Sequence, residues 1–219
     1  MINVVKQIYY FKEIKEMVDM RKQFMSEIEL IENDKLKKVA KKMAKDLPNY
    51  FWTLPSSSSG KYHPQCDLGD GGNVRHSIMV CRCAIDLVVS EMFVRDTTAN
   101  RDITRVAALF HDGLKYGKVS EDGTVSSHTV FEHPLLAADF VRDHLVEAKI
   151  DDLTTNMICD AIRTHMGKWC VSNYSKVAMS KPRTDFEKMI HIADYMASRK
   201  YIGGLDEWKD SDNLTNDGK

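Results

Sequence analysis

Apolar residues recur at helical spacing through almost every long segment of the chain. Val5, Ile8, Tyr9, Ile14, Met17, Val18 and Phe24 predict an opening helical segment. Leu36, Val39, Met43 and Leu47 predict a second, starting after the cap candidates Asn33 and Asp34 and stopping at Pro48. From Asn73 onward, helix follows helix. Ile78, Cys81, Ile85 and Val88 form one stripe, and Ile103, Val106, Ala107 and Phe110 form another that ends at His111. Pro134 suits the first turn of a helix carrying Phe140, Val141 and Leu145. Leu153, Met157, Ile158 and Ile162 lead to His165, and Thr184 caps a last helix carrying Phe186, Met189, Ile190 and Ala193. Alternating strand patterns are nearly absent, so the predicted fold class is all-α. The predicted organisation is an N-terminal helical extension over 1–48, a helical bundle over 73–203 and a polar tail over 204–219.

Residues 49–72 break the pattern. Tyr50-Phe51-Trp52 is followed by serines 56–59, Gly60, His63-Pro64 and Gly69-Asp70-Gly71-Gly72. Turn-formers this dense predict an irregular segment. Its length, and its run into His76, predict a mobile loop that covers the site; the alternative is a linker.

Composition narrows the function classes. The net charge of -1 gives no global attraction to a nucleic-acid backbone or an anionic membrane, so such contacts need a local basic cluster. No apolar run approaches the roughly 18 residues that span a bilayer, and the first residues lack the order of a secretory signal. The five cysteines are odd in number and scattered, which suits a reducing compartment. The expectation is a cytoplasmic protein with no membrane partner.

Candidate chemistry sits at helix ends and on apolar faces. His76 lies one turn into a helix, His111-Asp112 closes another, and Asp194 lies among Ile190, Ala193 and Ala197. A carboxylate on an apolar face is costly unless paired or metal-bound. His133 precedes Pro134, and His165 precedes Met166-Gly167-Lys168-Trp169. Mixed imidazole and carboxylate donors suit divalent manganese, iron, cobalt, nickel or zinc better than magnesium. Six such ligands with one bridging aspartate suffice for two ions. Of the other histidines, His128 reads as a loop residue, on the surface or facing substrate, and His144 as solvent-facing. His191 reads as a core or supporting residue, and His63 as able to reach an anion.

In this order, and on helices, these residues resemble the HD superfamily. The pattern stands as Arg75-His76-Ser77, Phe110-His111-Asp112-Gly113 and Ile192-Ala193-Asp194-Tyr195, over roughly residues 73–201. The resemblance implies an HD-domain helical bundle with metal-dependent phosphohydrolase activity. It also implies that His76, His111, Asp112 and Asp194 hold one ion. In branches with two ions, His133 and His165 would hold the second, bridged by Asp112. The spacing of His111 to Lys115 is common in those branches. The Gly-Tyr-Pro signature of cyclic-dinucleotide phosphodiesterases is missing. Lys115-Tyr116 replaces the Glu-Asp of alarmone hydrolases, and Lys115 also stands where a nucleotidase branch often has Glu. The nearest branch is that of 3′–5′ exoribonucleases, although their extra OB-type domain has no counterpart here. The implied substrate is a small phosphorylated molecule, a nucleotide or a nucleic-acid end. Asp112 would orient the nucleophile and Lys115 would assist the leaving group. Arg75, Lys168, Arg199 and His128 are candidate substrate contacts. Two alternatives share the ligand set: a di-iron oxygenase, and a binding module that keeps the metal site without turnover.

Overall fold

The computed structural model describes residues 19–57 and 60–200. The predicted opening stripe from Val5 to Val18, and the polar tail, lie outside the described residues. The described helices are α1 (residues 19–29), α2 (Asp34–Asp46), α3 (Asn49–Thr53), α4 (Gly72–Val89), α5 (Thr98–Phe110), α6 (His133–Glu147), α7 (Asp152–Thr164) and α8 (Asp185–Ala197). Among the described residues there is no strand, and no helix is long and apolar enough to cross a membrane.

Side-chain caps start the helices where the sequence places Ser, Thr, Asp or Asn. Asn33, Thr97 and Asp151 accept from the backbone N–H groups of Leu36, Asn100 and Thr154. Thr184 and Glu187 form a reciprocal capping box on α8. The Asp102 carboxylate of α5 accepts the N–H groups of Glu32 and Asn33 at 2.9 and 2.8 Å, pinning the α1–α2 turn.

Helix α4 packs on α3, α5 and α8, α6 pairs with α7, and α7 in turn packs on α5 and α8. The N-terminal helices share this core. Phe24 of α1 meets Phe51, Trp52 and Phe110 edge-to-face, at centroid distances of 5.5, 5.2 and 5.6 Å.

Two expectations are corrected. Residues 49–72 are not irregular throughout. Burial of Tyr50, Phe51 and Trp52 drives formation of α3, and Gln65–Asp67 forms a 3₁₀ turn. Backbone bonds from Ser56 to Asp67, Gly71 to Thr53 and Asn73 to Leu54, each 3.0 Å, stitch the segment to itself and to the start of α4. His144 does not simply face solvent. Its Nε2 lies 2.9 Å from Asp46 Oδ2 and its ring tilts against Phe140, so it ties α6 to α2.

Candidate metal centre

Five helices and the turn after α5 deliver polar groups to one point. Helix α4 supplies His76, the end of α5 supplies His111, and the following turn supplies Asp112. His133 opens α6, His165 ends α7 and Asp194 projects from α8. Five of these residues are buried, and Asp194 keeps 21% of its side chain exposed, so the centre opens beside α8.

Hydrogen bonds at the back of each ring fix its tautomer. Nδ1 of His111, His133 and His165 lies 2.7, 2.6 and 2.7 Å from the carbonyls of Ala108, Val130 and Ile162. A carbonyl only accepts, so each Nδ1 carries the proton and each Nε2 presents a lone pair. His76 Nδ1 donates instead to the Asp67 carboxylate, at 3.1 Å.

The inward atoms form two sets that share one carboxylate. Asp112 Oδ2 lies 3.2 Å from His111 Nε2 and 3.8 Å from His76 Nε2. Asp194 Oδ1 lies 3.0 Å from His76 Nε2 and 3.7 Å from His111 Nε2. The other oxygen, Asp112 Oδ1, lies 3.1 Å from His133 Nε2 and 3.7 Å from His165 Nε2. His133 and His165 bring their Nε2 atoms within 3.3 Å of each other, although both are acceptors in these tautomers. His111 Nε2 and Asp112 Oδ1 are buried without a hydrogen-bond partner. Orphaned lone pairs packed against carboxylate oxygens need cations, so the donor set fits divalent metal.

Burial opposes ionisation of Asp112, but Lys115, His111 and His133 hold its carboxyl well below the usual range. Asp194 is lowered likewise, with His76 as its main partner against burial. Burial, helped by His111, pushes His165 down to about 3, so it stays in the neutral, ligating form. Burial also disfavours charge on His76, but bonds to Asp194 and Asp67 outweigh it and raise His76 to about 9.

Lys115 contacts Asp112 Oδ2 and lies 3.5 Å from Ser56 Oγ. The spacing predicted this proximity if a helix continued through it; α5 in fact ends at Phe110, and the turns of residues 111–116 fold Lys115 back. The other candidates lie elsewhere. Arg75 donates to the carbonyls of Cys66 and Leu68, tying the loop to α4, and no hydrogen bond or ion pair links it to the cluster. His128 lies exposed in a turn. Lys168 is exposed beside the Trp169 ring, and Arg199 lies over Tyr195 and Tyr62. His191 donates from Nδ1 to the His165 carbonyl at 2.6 Å, and Gly167, at φ +58°, leaves room for its ring.

Sequence reasoning missed Asp67, Ser56 and Asn73. Asp67 binds His76 and, at 3.2 Å, His63. Ser56 joins His63 to Lys115, and Asn73 donates to the Asp112 carbonyl at 3.2 Å. None sits in a pattern that marks it; their partners are brought in by the loop's fold.

The sequence profile described as HD domain matches residues 74–199, the stretch that carries all six converging side chains. No curated protein and no solved structure matches the chain.

Proposed function

The chain belongs to the HD domain family, and from that premise we propose that it is a two-ion phosphohydrolase acting on a nucleotide or a nucleic-acid end. One observation carries this reading: the two oxygens of Asp112 face separate sets of imidazole lone pairs. His76, His111, Asp112 and Asp194 would hold one divalent ion, and Asp112, His133 and His165 the other. Manganese, iron, cobalt, nickel and zinc all suit these donors. Such ions, when bound, supply a hydroxide-like water near neutral pH and neutralise phosphate charge.

The chain's own residues do the rest. Asp112 and Asp194 remain ionised under burial, so both offer charged carboxylate oxygens to an ion. Asp67 and the three backbone carbonyls hold the rings so that every Nε2 faces inward. Lys115 places an ammonium against Asp112, where it can meet a phosphate oxygen or give a proton to the departing oxygen. Lys168, exposed beside Trp169, and Arg199, over the Tyr195 ring, would add cationic contacts for a bound anion.

The test is elemental analysis followed by a phosphomonoesterase and phosphodiesterase panel under Mn²⁺, Co²⁺, Ni²⁺, Fe²⁺ and Mg²⁺. Two transition-metal ions per chain, with hydrolysis that a chelator abolishes, support the reading. Two irons with O₂ consumed against an organic substrate would replace it with an oxygenase. A loaded protein inert to the whole panel would make the site a binding module.

A further inference from the structure

Three large aromatic side chains that neighbour the cluster along the chain stay exposed: Tyr62 by 45%, Trp169 by 43% and Tyr195 by 36%. Each lies close in sequence to a residue of the ligand cluster or to one packed against it. Tyr195 follows Asp194, and Trp169 lies four residues past His165. Tyr62 precedes His63, whose ring lies 5.0 Å from that of His76.

The rings form a row. Trp169 and Tyr195 stack with planes 14° apart and centroids 5.6 Å apart. The Arg199 guanidinium lies 4.3 Å from the Tyr195 centroid and 5.2 Å from that of Tyr62. Its Nε donates to the Tyr195 carbonyl at 3.3 Å and its Nη2 to Ser198 Oγ at 3.0 Å, so the head is held rather than trailing in solvent. Lys168 brings its ammonium to 4.8 Å from the Trp169 centroid. His191 braces the inner side, its ring 6.2 Å from Trp169 and its Nδ1 on the His165 carbonyl. Three distant chain segments therefore build one surface of aromatic rings and cations beside the only ligand-cluster residue with marked solvent exposure.

A clustered, exposed aromatic surface marks a binding site more often than chance exposure does. Rings interleaved with cations match a planar base joined to a phosphate, because bases stack on aromatic faces while Lys and Arg meet the anion. A bare polyphosphate makes no stacking contact with the rings, and a sugar offers them only its C–H edges, whereas a base presents a whole π-face. We propose that Trp169, Tyr195, Arg199 and Tyr62 form the surface that binds the base of a nucleotide whose phosphate lies at the metal centre, and that they set the preference for base-bearing substrates. This rests on the phosphohydrolase reading for the phosphate's position. The same base-plus-phosphate chemistry is offered by a free nucleotide and by the end of a single strand.

The experiment reads tryptophan emission of the metal-loaded full chain, with Trp169→Leu assigning the signal. The probes are slowly hydrolysed phosphorothioate forms of AMP, of a short single-stranded oligoadenylate and of ribose 5-phosphate. Quenching of the Trp169 component by either adenine compound, but not by the ribose compound, supports the proposal; the tighter of the two identifies the source of the base. In Tyr195→Ala and Trp169→Leu, with affinities read by titration calorimetry because the second variant lacks the emitting ring, selectivity for the adenine probe over the ribose probe should fall by about 5- to 150-fold, the range for losing one stacking contact. Equal affinity for adenine and ribose probes, or selectivity unchanged in both variants, overturns it. Base-selective binding with no hydrolysis of any substrate would remove the phosphohydrolase reading and leave the surface standing. Hydrolysis without base preference would do the reverse.

Discussion

Asp67 holds two histidines with one oxygen, and that economy sets its role. Its Oδ2 lies 3.1 Å from His76 Nδ1 and 3.2 Å from His63 Nδ1. Burial opposes its charge, yet bonds from His63 and His76 bring its pKa down to about 2. A carboxylate behind an imidazole fixes ring and tautomer and makes the far nitrogen a better donor. Asp67→Asn should therefore weaken metal binding by about 10- to 100-fold, measured by competition with a coloured chelator; unchanged affinity would reduce Asp67 to a packing residue. Lys115 has the opposite profile. It contacts Asp112 but contributes only positive charge, so Lys115→Ala should keep metal in elemental analysis while turnover drops by about 10²-fold or more. Full turnover in that variant would make the lysine a structural counter-charge. The converging side chains were legible because each is a polar group placed on or at the end of an apolar helical stripe. Asp67 was not, because it sits in a turn whose meaning depends on where the turn docks, and Arg75 was misdirected because the sequence does not show which carbonyls the loop leaves unpartnered.

Helix positions were readable from periodicity and caps, and the loop was readable only as a departure from them. Helix α3 escaped because it has five residues, too few for a period, and is surrounded by turn-formers. His144 was misread because its partner Asp46 lies 98 residues away. The docking of the 65–68 turn on α4 depends on one position of close approach. A Cβ at Gly72 would lie 1.9 Å from the Asp67 carbonyl oxygen and 3.0 Å from Pro55 Cα, both backbone atoms that cannot rotate aside. Gly72→Ala should push the turn off the helix, moving Asp67 from His76. Overpacking of this kind costs about 3 kcal/mol at the upper end of its usual range, which lowers the melting temperature by roughly 6–12 °C for a chain of this size. Calorimetry with a chelator present isolates that loss from any effect on metal binding. A melting temperature within a degree of the parent's would mean that the turn re-docks without strain.

Across the whole molecule, the N-terminal helices and the bundle share one apolar core, since Phe24, Phe51 and Trp52 pack with Phe110 one residue before His111. The sequence separated these parts because the break at 49–72 looks like a boundary, while packing across it is invisible to periodicity. The consequence is that the core and the cluster are mechanically joined, and loading the cluster stabilises the fold. Five of the six converging residues are buried in the folded chain and are dispersed between positions 76 and 194 once it unfolds, so ions bind the folded state preferentially. At a free ion concentration of about 100 times the dissociation constant, one site adds about 2.7 kcal/mol, or roughly 5–10 °C at about 2–4 °C per kcal/mol. Two sites that fill independently double that shift. The variants then separate the sites by number. His133→Ala removes a donor from one set only, so Mn²⁺ should still raise its melting temperature over the chelated protein by about half the parent's increment. Asp112→Ala removes the oxygens that face both sets and should lose nearly all of it. Scanning calorimetry of the parent and both variants, with Mn²⁺ and with chelator, reads the three increments directly. Equal increments in all three proteins would sink the bridging role of Asp112, and a His133→Ala increment equal to the parent's would leave one ion in place of two.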